Sequence, residues 1–217
     1  MLANGMIYAV VQISILLYAG LVLLPLLGPP YGTVAERYQG YADNVYLFKV
    51  GNYLMGIPAL FFFLFLGGVQ GFFSRLQEGT GGILFAALLS GAVLIMIWPF
   101  GAVISLLGVD IASAGGDVIT GGTFDSIVPY SLGLSTIPRA VFLFALSVLL
   151  IDKKPLAIAG FIIALLSLVG NLVLTSGKFL PFSLGSALLF HGWVFCCSFY
   201  MLRKRTHGIE KAAIQQT

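Results

Sequence analysis

Charge is what this sequence has least of. Only 9% of its 217 residues are Asp, Glu, Lys or Arg, against roughly 25% in an ordinary soluble domain, so the chain cannot cover a water-facing surface. Cysteine is almost missing as well: Cys196 and Cys197 are adjacent, strain disfavours a bond between neighbours, and neither has another thiol to pair with. Both read as free thiols, and a disulfide framework is excluded. Histidine is confined to His191 and His207, and His207 lies in the polar tail. That leaves no bis-histidine haem within the chain, and no segment that gathers the three or four ligands of a zinc site. There is no carboxylate pair inside an apolar segment, no Ser and His with an acidic orienter, no His-Glu-x-x-His run and no phosphate-cradling loop. Enzyme chemistry is therefore the class with least support, and the net charge of +3 does not suggest nucleic acid.

What fills the space is apolar: 59% of the residues, with a mean hydropathy of +1.03. The apolar residues come in blocks of about twenty, the length a helix needs to cross a hydrocarbon core of about 30 Å. We read an all-α, polytopic transmembrane bundle, a single domain over residues 1–217, with six spans at about 6–27, 50–68, 82–108, 131–151, 156–176 and 182–202. The first run has no Lys or Arg before it and is too long for a signal peptide, so it reads as a retained span. Gly28, Pro29 and Pro30 stop it, and a short polar connection with Glu36, Arg37 and Asp43 follows. Arg75 and Glu78 mark the next turn, and Pro99 supplies a kink in span three. Residues 109–130, rich in Gly and holding Asp110, Asp117 and Asp125, read as one long exposed loop, and residues 203–217 as a short basic tail.

Six spans place both termini on one side. One set of ends then carries Arg75, Lys153, Lys154, Arg203, Lys204, Arg205 and Lys211; the other carries Arg37, Lys49, Arg139 and Lys178. Seven basic residues against four make the tail side cytoplasmic, because basic residues are retained on that side.

Polar side chains within a span cost free energy unless they face protein or water, so they are the candidate functional groups. Arg139 is the sharpest, about 12 Å below the outer edge of an upright span four. It reads either as a cation lining an outward-facing pocket for an anionic or carbonyl-bearing ligand, or as a group that snorkels to the outer headgroups. Asn171 continues a row with Gly160, Ala164 and Ser167 at helical spacing, a packing face that points the amide into the bundle as site or as interhelical glue. His191 lies near the middle of span six. It is a neutral imidazole bonded to another helix, a proton relay, or a single axial ligand to a pigment or haem. Lys49 and Asp110 fall near outer span ends as interfacial charges, with Asp110 a counter-ion for Arg139 if the long loop folds back over the bundle. Trp193 is too deep for an interfacial aromatic, whereas Tyr46 and Tyr200 sit where such residues belong.

The stretch Asn44-Val-Tyr-Leu-Phe-Lys49-Val-Gly51 leading into span two, with six spans in so short a chain, resembles a group of uncharacterised bacterial six-helix integral membrane proteins. The resemblance implies a bacterial inner (plasma) membrane and no particular function. The leading expectation is a bundle that binds or moves a small molecule or lipid through an outward-facing polar cavity, with Arg139, Asn171, His191 and Asp110 as ligand-binding residues. The alternatives are a non-catalytic accessory subunit of a larger membrane complex, or a pigment or cofactor protein using His191. No cofactor is specified; the partners expected are the lipid bilayer and other membrane subunits or further copies of the chain.

Overall fold

The computed structural model describes residues 1–26, 33–74 and 81–214, which are helical apart from short turns, with no strand among them. The first span is α1 (Ala3–Tyr18), which widens into a π turn at Ala19–Leu23 before a last regular turn, α2 (Leu24–Leu26). Pro25 explains the widening. Its ring crowds the carbonyl of Leu21 and it has no N–H to give, so the upstream turn relaxes to a longer register. The stop at Gly28, Pro29 and Pro30 and the turn holding Arg75 and Glu78 lie outside the described residues.

The polar connection expected around Glu36 is itself a helix, α3 (Val34–Asp43). Its start is a capping box: Thr33 Oγ1 accepts from the Glu36 N–H at 3.2 Å, and the Glu36 carboxylate accepts from the Thr33 N–H at 2.6 Å. Then come α4 (Val45–Leu54) and α5 (Ile57–Phe73). They break at Met55 and Gly56 because Pro58 opens α5 and cannot donate backward.

The exposed loop expected over residues 109–130 is not there. Helix α6 (Gly81–Ser113) runs through its first part and α7 (Val118–Leu149) through its last, leaving only residues 114–117 between them. Gly115, at φ 67°, makes the reversal. The Asp117 carboxylate caps α7, and the Thr120 backbone N–H, then its hydroxyl, hold that carboxyl below the ordinary aspartate range. Gly121 in this region is a seat for a neighbour: a Cβ on it would lie 2.8 Å from the Tyr38 ring of α3. The Tyr38 hydroxyl donates to the carbonyls of Ile111 and Gly116, so α3 straps the tip of the α6–α7 hairpin.

Helix α8 (Lys154–Gly170) passes into a 3-10 turn at Asn171–Leu174, and α9 (Leu180–Ile214) continues without a break through most of the expected tail. Among the described residues six helical stretches are long and apolar enough to cross a membrane: Ala3–Leu26, Val45–Phe73, Gly81–Ser113, Tyr130–Leu149, Lys154–Leu174 and Pro181–Thr206. Their number is the one expected, and each overlaps one expected span with ends differing by as many as five residues.

The spans close in chain order into a ring, each against the next, with α9 returning to α1. Small residues permit the close passages. A Cβ on Gly5 would fall 2.0 Å from Ser198 Oγ at the α1–α9 seam, one on Gly160 would fall 2.8 Å from the Trp193 ring, and one on Gly170 would fall 2.8 Å from the Ser183 backbone. The row Gly160, Ala164 and Ser167 is buried, as its spacing implies. Aromatic rings from five spans fill the centre: Tyr8, Phe62, Trp98, Phe142 and Phe190. Phe62 has its ring centroid 4.7 to 5.9 Å from those of the other four. A smaller cluster under α3, with Leu23, Tyr41, Phe48, Val109 and Ala112, holds the far end together. Outside the ring, large apolar side chains such as Leu21, Phe63, Phe85, Met96 and Ile158 are exposed.

Candidate functional site

Two polar groupings lie inside the ring, one turn apart along its axis. The one nearer the α3 end is built from α7, α8 and α9. Arg139, only 1% exposed, is the largest fully buried side chain. Its Nε donates to Ser167 Oγ at 3.1 Å, and its Nη2 donates to Ser186 Oγ at 3.0 Å and to the Ser183 carbonyl at 3.4 Å. All three acceptors are neutral, and among the described residues no carboxylate makes an ion pair with the guanidinium. Pro138 and Gly133 do not interrupt α7, so Arg139 is held mid-helix, pointing inward, and does not snorkel to a headgroup.

One turn toward the α3 end, Thr136 Oγ1 donates to Asn171 Oδ1 at 3.0 Å. Thr136 and Arg139 therefore face Asn171 and Ser167 across one interface, four groups spaced three or four residues apart on two helices. The Ser183 hydroxyl, fully buried beside this row, has no hydrogen-bond partner among the described residues. The sequence marks Ser167 only as part of a packing row, and gives no role to Ser183, Ser186 and Thr136. Their signal was available: Ser183 and Ser186 sit one turn apart in span six, where they stripe the same face as Phe190.

The deeper grouping is the pair Tyr8 and His191. The Tyr8 hydroxyl donates to His191 Nδ1 at 2.7 Å in the tautomer that keeps the ring proton on Nε2. Trp98 stacks on Tyr8 at 5.9 Å and 12°, and the His191 ring lies edge-on to Tyr8, Trp98 and Phe190. His191 is 3% exposed, and an axial ligand role at Nε2, inside a packed aromatic layer, would require the other tautomer, with Nδ1–H donating to the Tyr8 oxygen.

Asp110 is not in this site. The counter-ion role expected for it is corrected: Asp110 Oδ1 lies 2.6 Å from Lys49 Nζ, with side chains 56% and 39% exposed. The cause is the missing loop. Residue 110 is on the continuous α6 helix, which carries its carboxylate away from the bundle axis to α4. Trp193 is buried as expected, with Nε1 donating to the Leu156 carbonyl at 2.8 Å. Cys196 and Cys197 are free, one exposed and one buried. Among the described residues no three His, Cys, Asp or Glu side chains come together in a way that could hold a metal ion.

No family model, no curated protein and no solved structure matches this chain.

Proposed function

We propose that the chain is an integral protein of a bacterial plasma membrane, with both termini cytoplasmic, that binds or moves a small anionic or carbonyl-bearing molecule or lipid at the Arg139 site. The observation that supports this reading is a buried guanidinium whose bonds all go to neutral groups. A charge removed from water is costly unless an opposite charge or several strong acceptors compensate it. Here, among the described residues, three acceptors answer a group with five donors, and the Ser183 hydroxyl beside it is left without a bond. An anion or carbonyl oxygen supplies what both lack. The aromatic layer of Phe62, Trp98, Phe142 and Phe190 beneath separates such a ligand from the tail end, so that passage through the ring requires these side chains to part.

The test is a thermal-shift screen of the detergent-purified protein against short-chain carboxylates, phosphate monoesters and fatty acids. At least one class raises the melting temperature of the wild type and of Asp110→Asn, and fails to raise that of Arg139→Leu. Equal stabilisation of wild type and Arg139→Leu by every compound that stabilises either one removes the site.

A second reading, an accessory subunit whose polar residues serve helix contacts, is favoured by one observation: Asn171, Arg139 and His191 each bond across to another helix. Stoichiometric co-purification with a larger complex, without any ligand response, selects it.

A further inference from the structure

At the tail end of the ring, away from Arg139, a hollow of about 120 Å³ opens between the ends of four elements. Phe72 and Phe73 of α5 and Leu149 and Leu150, where α7 ends, form its apolar wall. Asp152 and Lys153 of the following turn, and Tyr200 and Lys204 of α9, form its polar rim. Phe73, Leu149 and Leu150 are buried, whereas Asp152, Lys153 and Lys204 are exposed.

The two ammonium groups are held by rings and not by carboxylates. Lys153 Nζ lies 5.5 Å from the Tyr200 ring centroid and Lys204 Nζ 6.0 Å from that of Phe72. Among the described residues neither makes an ion pair. Lys153 follows Asp152 directly, and the turn brings both signs of charge to the same rim.

The depth of the hollow identifies the kind of occupant. The helical stretches long enough to cross a membrane end at Phe73 and Leu149 and begin again at Lys154, so the rim stands at headgroup level and the wall at the start of the acyl region. A soluble anion has no use for the four apolar residues of the wall; a lipid does. We propose that this hollow binds the headgroup of an amine-bearing phospholipid, its phosphate between Lys153 and Lys204 and its ammonium against Asp152. Basic pockets between membrane helices take lipid phosphates in this way, and a lysine pair serves as two point charges for one phosphate diester. Asp152 repels a purely anionic head and accepts a primary ammonium, so the preferred lipid is phosphatidylethanolamine over phosphatidylglycerol.

The experiment is native mass spectrometry of the delipidated full chain in detergent, titrated with phosphatidylethanolamine, phosphatidylglycerol, phosphatidylcholine and soluble phosphoethanolamine. One equivalent of phosphatidylethanolamine binds ahead of the other three. Lys153→Gln with Lys204→Gln weakens it about tenfold or more, since each lysine near a lipid phosphate counts separately, and the corresponding double Arg variant keeps it. Asp152→Asn erases the preference over phosphatidylglycerol. These side chains are exposed, so a matching elution profile and melting temperature verify that the variants fold. Equal binding by wild type and the double Gln variant overturns the proposal, as does equal retention of phosphatidylcholine or of soluble phosphoethanolamine.

Discussion

At the scale of single residues, the buried hydrogen bonds decide what is stable and what is available. Tyr8 and His191 lie 183 residues apart in the chain, on the two helices that close the ring, and share one bond at 2.7 Å. Removing either side leaves a buried polar group with no water to turn to, which costs about 1–3 kcal/mol. Tyr8→Phe and His191→Leu each lower the melting temperature in detergent, and the double variant loses less than the sum of the two. Additive losses would mean that the bond contributes nothing of its own. The same reasoning separates the residues that could be read from those that could not. Arg139, Asn171 and His191 stood out because polar groups in apolar runs are costly, and each was found facing protein. The pairing of Asp110 with Lys49 was hidden because it depends on which of two structures, loop or helix, carries residue 110.

At the scale of elements, glycine is the residue whose meaning changes most with its surroundings. Span positions followed from apolar length alone. The segment at 109–130 did not, because Gly115, Gly116, Gly121 and Gly122 with three Asp residues carry the composition of a loop. Its first part continues α6, and the Asp117 cap starts the helix that covers its last part, where Tyr38 packs over Gly121. Likewise the acidic and basic residues of 33–43 conceal a capped helix whose signature, Thr33 followed three residues later by Glu36, was present and unused. Glycines inside the spans divide into two kinds that substitution tells apart. A methyl group on Gly170 meets backbone atoms of Ser183 at 2.8 and 2.9 Å, so α8 and α9 must move apart, whereas one on Gly71 meets nothing within 4 Å. Gly170→Ala costs about 1–3 kcal/mol; Gly71→Ala is neutral or stabilises by up to about 1 kcal/mol through helix propensity. Thermal unfolding of both variants side by side checks this, and a neutral Gly170→Ala would show that the α8–α9 contact is looser than described.

At the scale of the whole molecule, the outward display of Leu21, Phe63, Phe85, Met96 and Ile158 requires an apolar solvent. Expressed protein accordingly sediments with membranes and enters solution only with detergent. A compact monomer in the detergent-free supernatant would contradict the spans. On the proposed orientation a tag after Thr217 is reached from the cytoplasmic side alone; labelling from outside intact cells would reverse the orientation and leave the bundle as it is. Function stayed largely beyond reach of the sequence for a physical reason. The groups that set the Arg139 site are serines and a threonine, residues that also satisfy themselves on the helix backbone, as Ser167 does with the Ile163 carbonyl.

Because each span leans on its sequence neighbours, and only α1 and α9 meet across the full length of the chain, the bundle has a single seam. Five of the six contacts can form hairpin by hairpin as the ribosome delivers each helix, but the sixth waits for the last one. Until α9 arrives, Tyr8 has the Phe62 and Trp98 rings beside it but its hydroxyl has no His191 to meet, and the face of Gly5 that receives Ser198 stays uncovered. Since Gly5 of α1 lies against Ser198 of α9, a chain joined by a linker across this seam and reopened at residues 150–153 would rebuild the same circle from a different starting point.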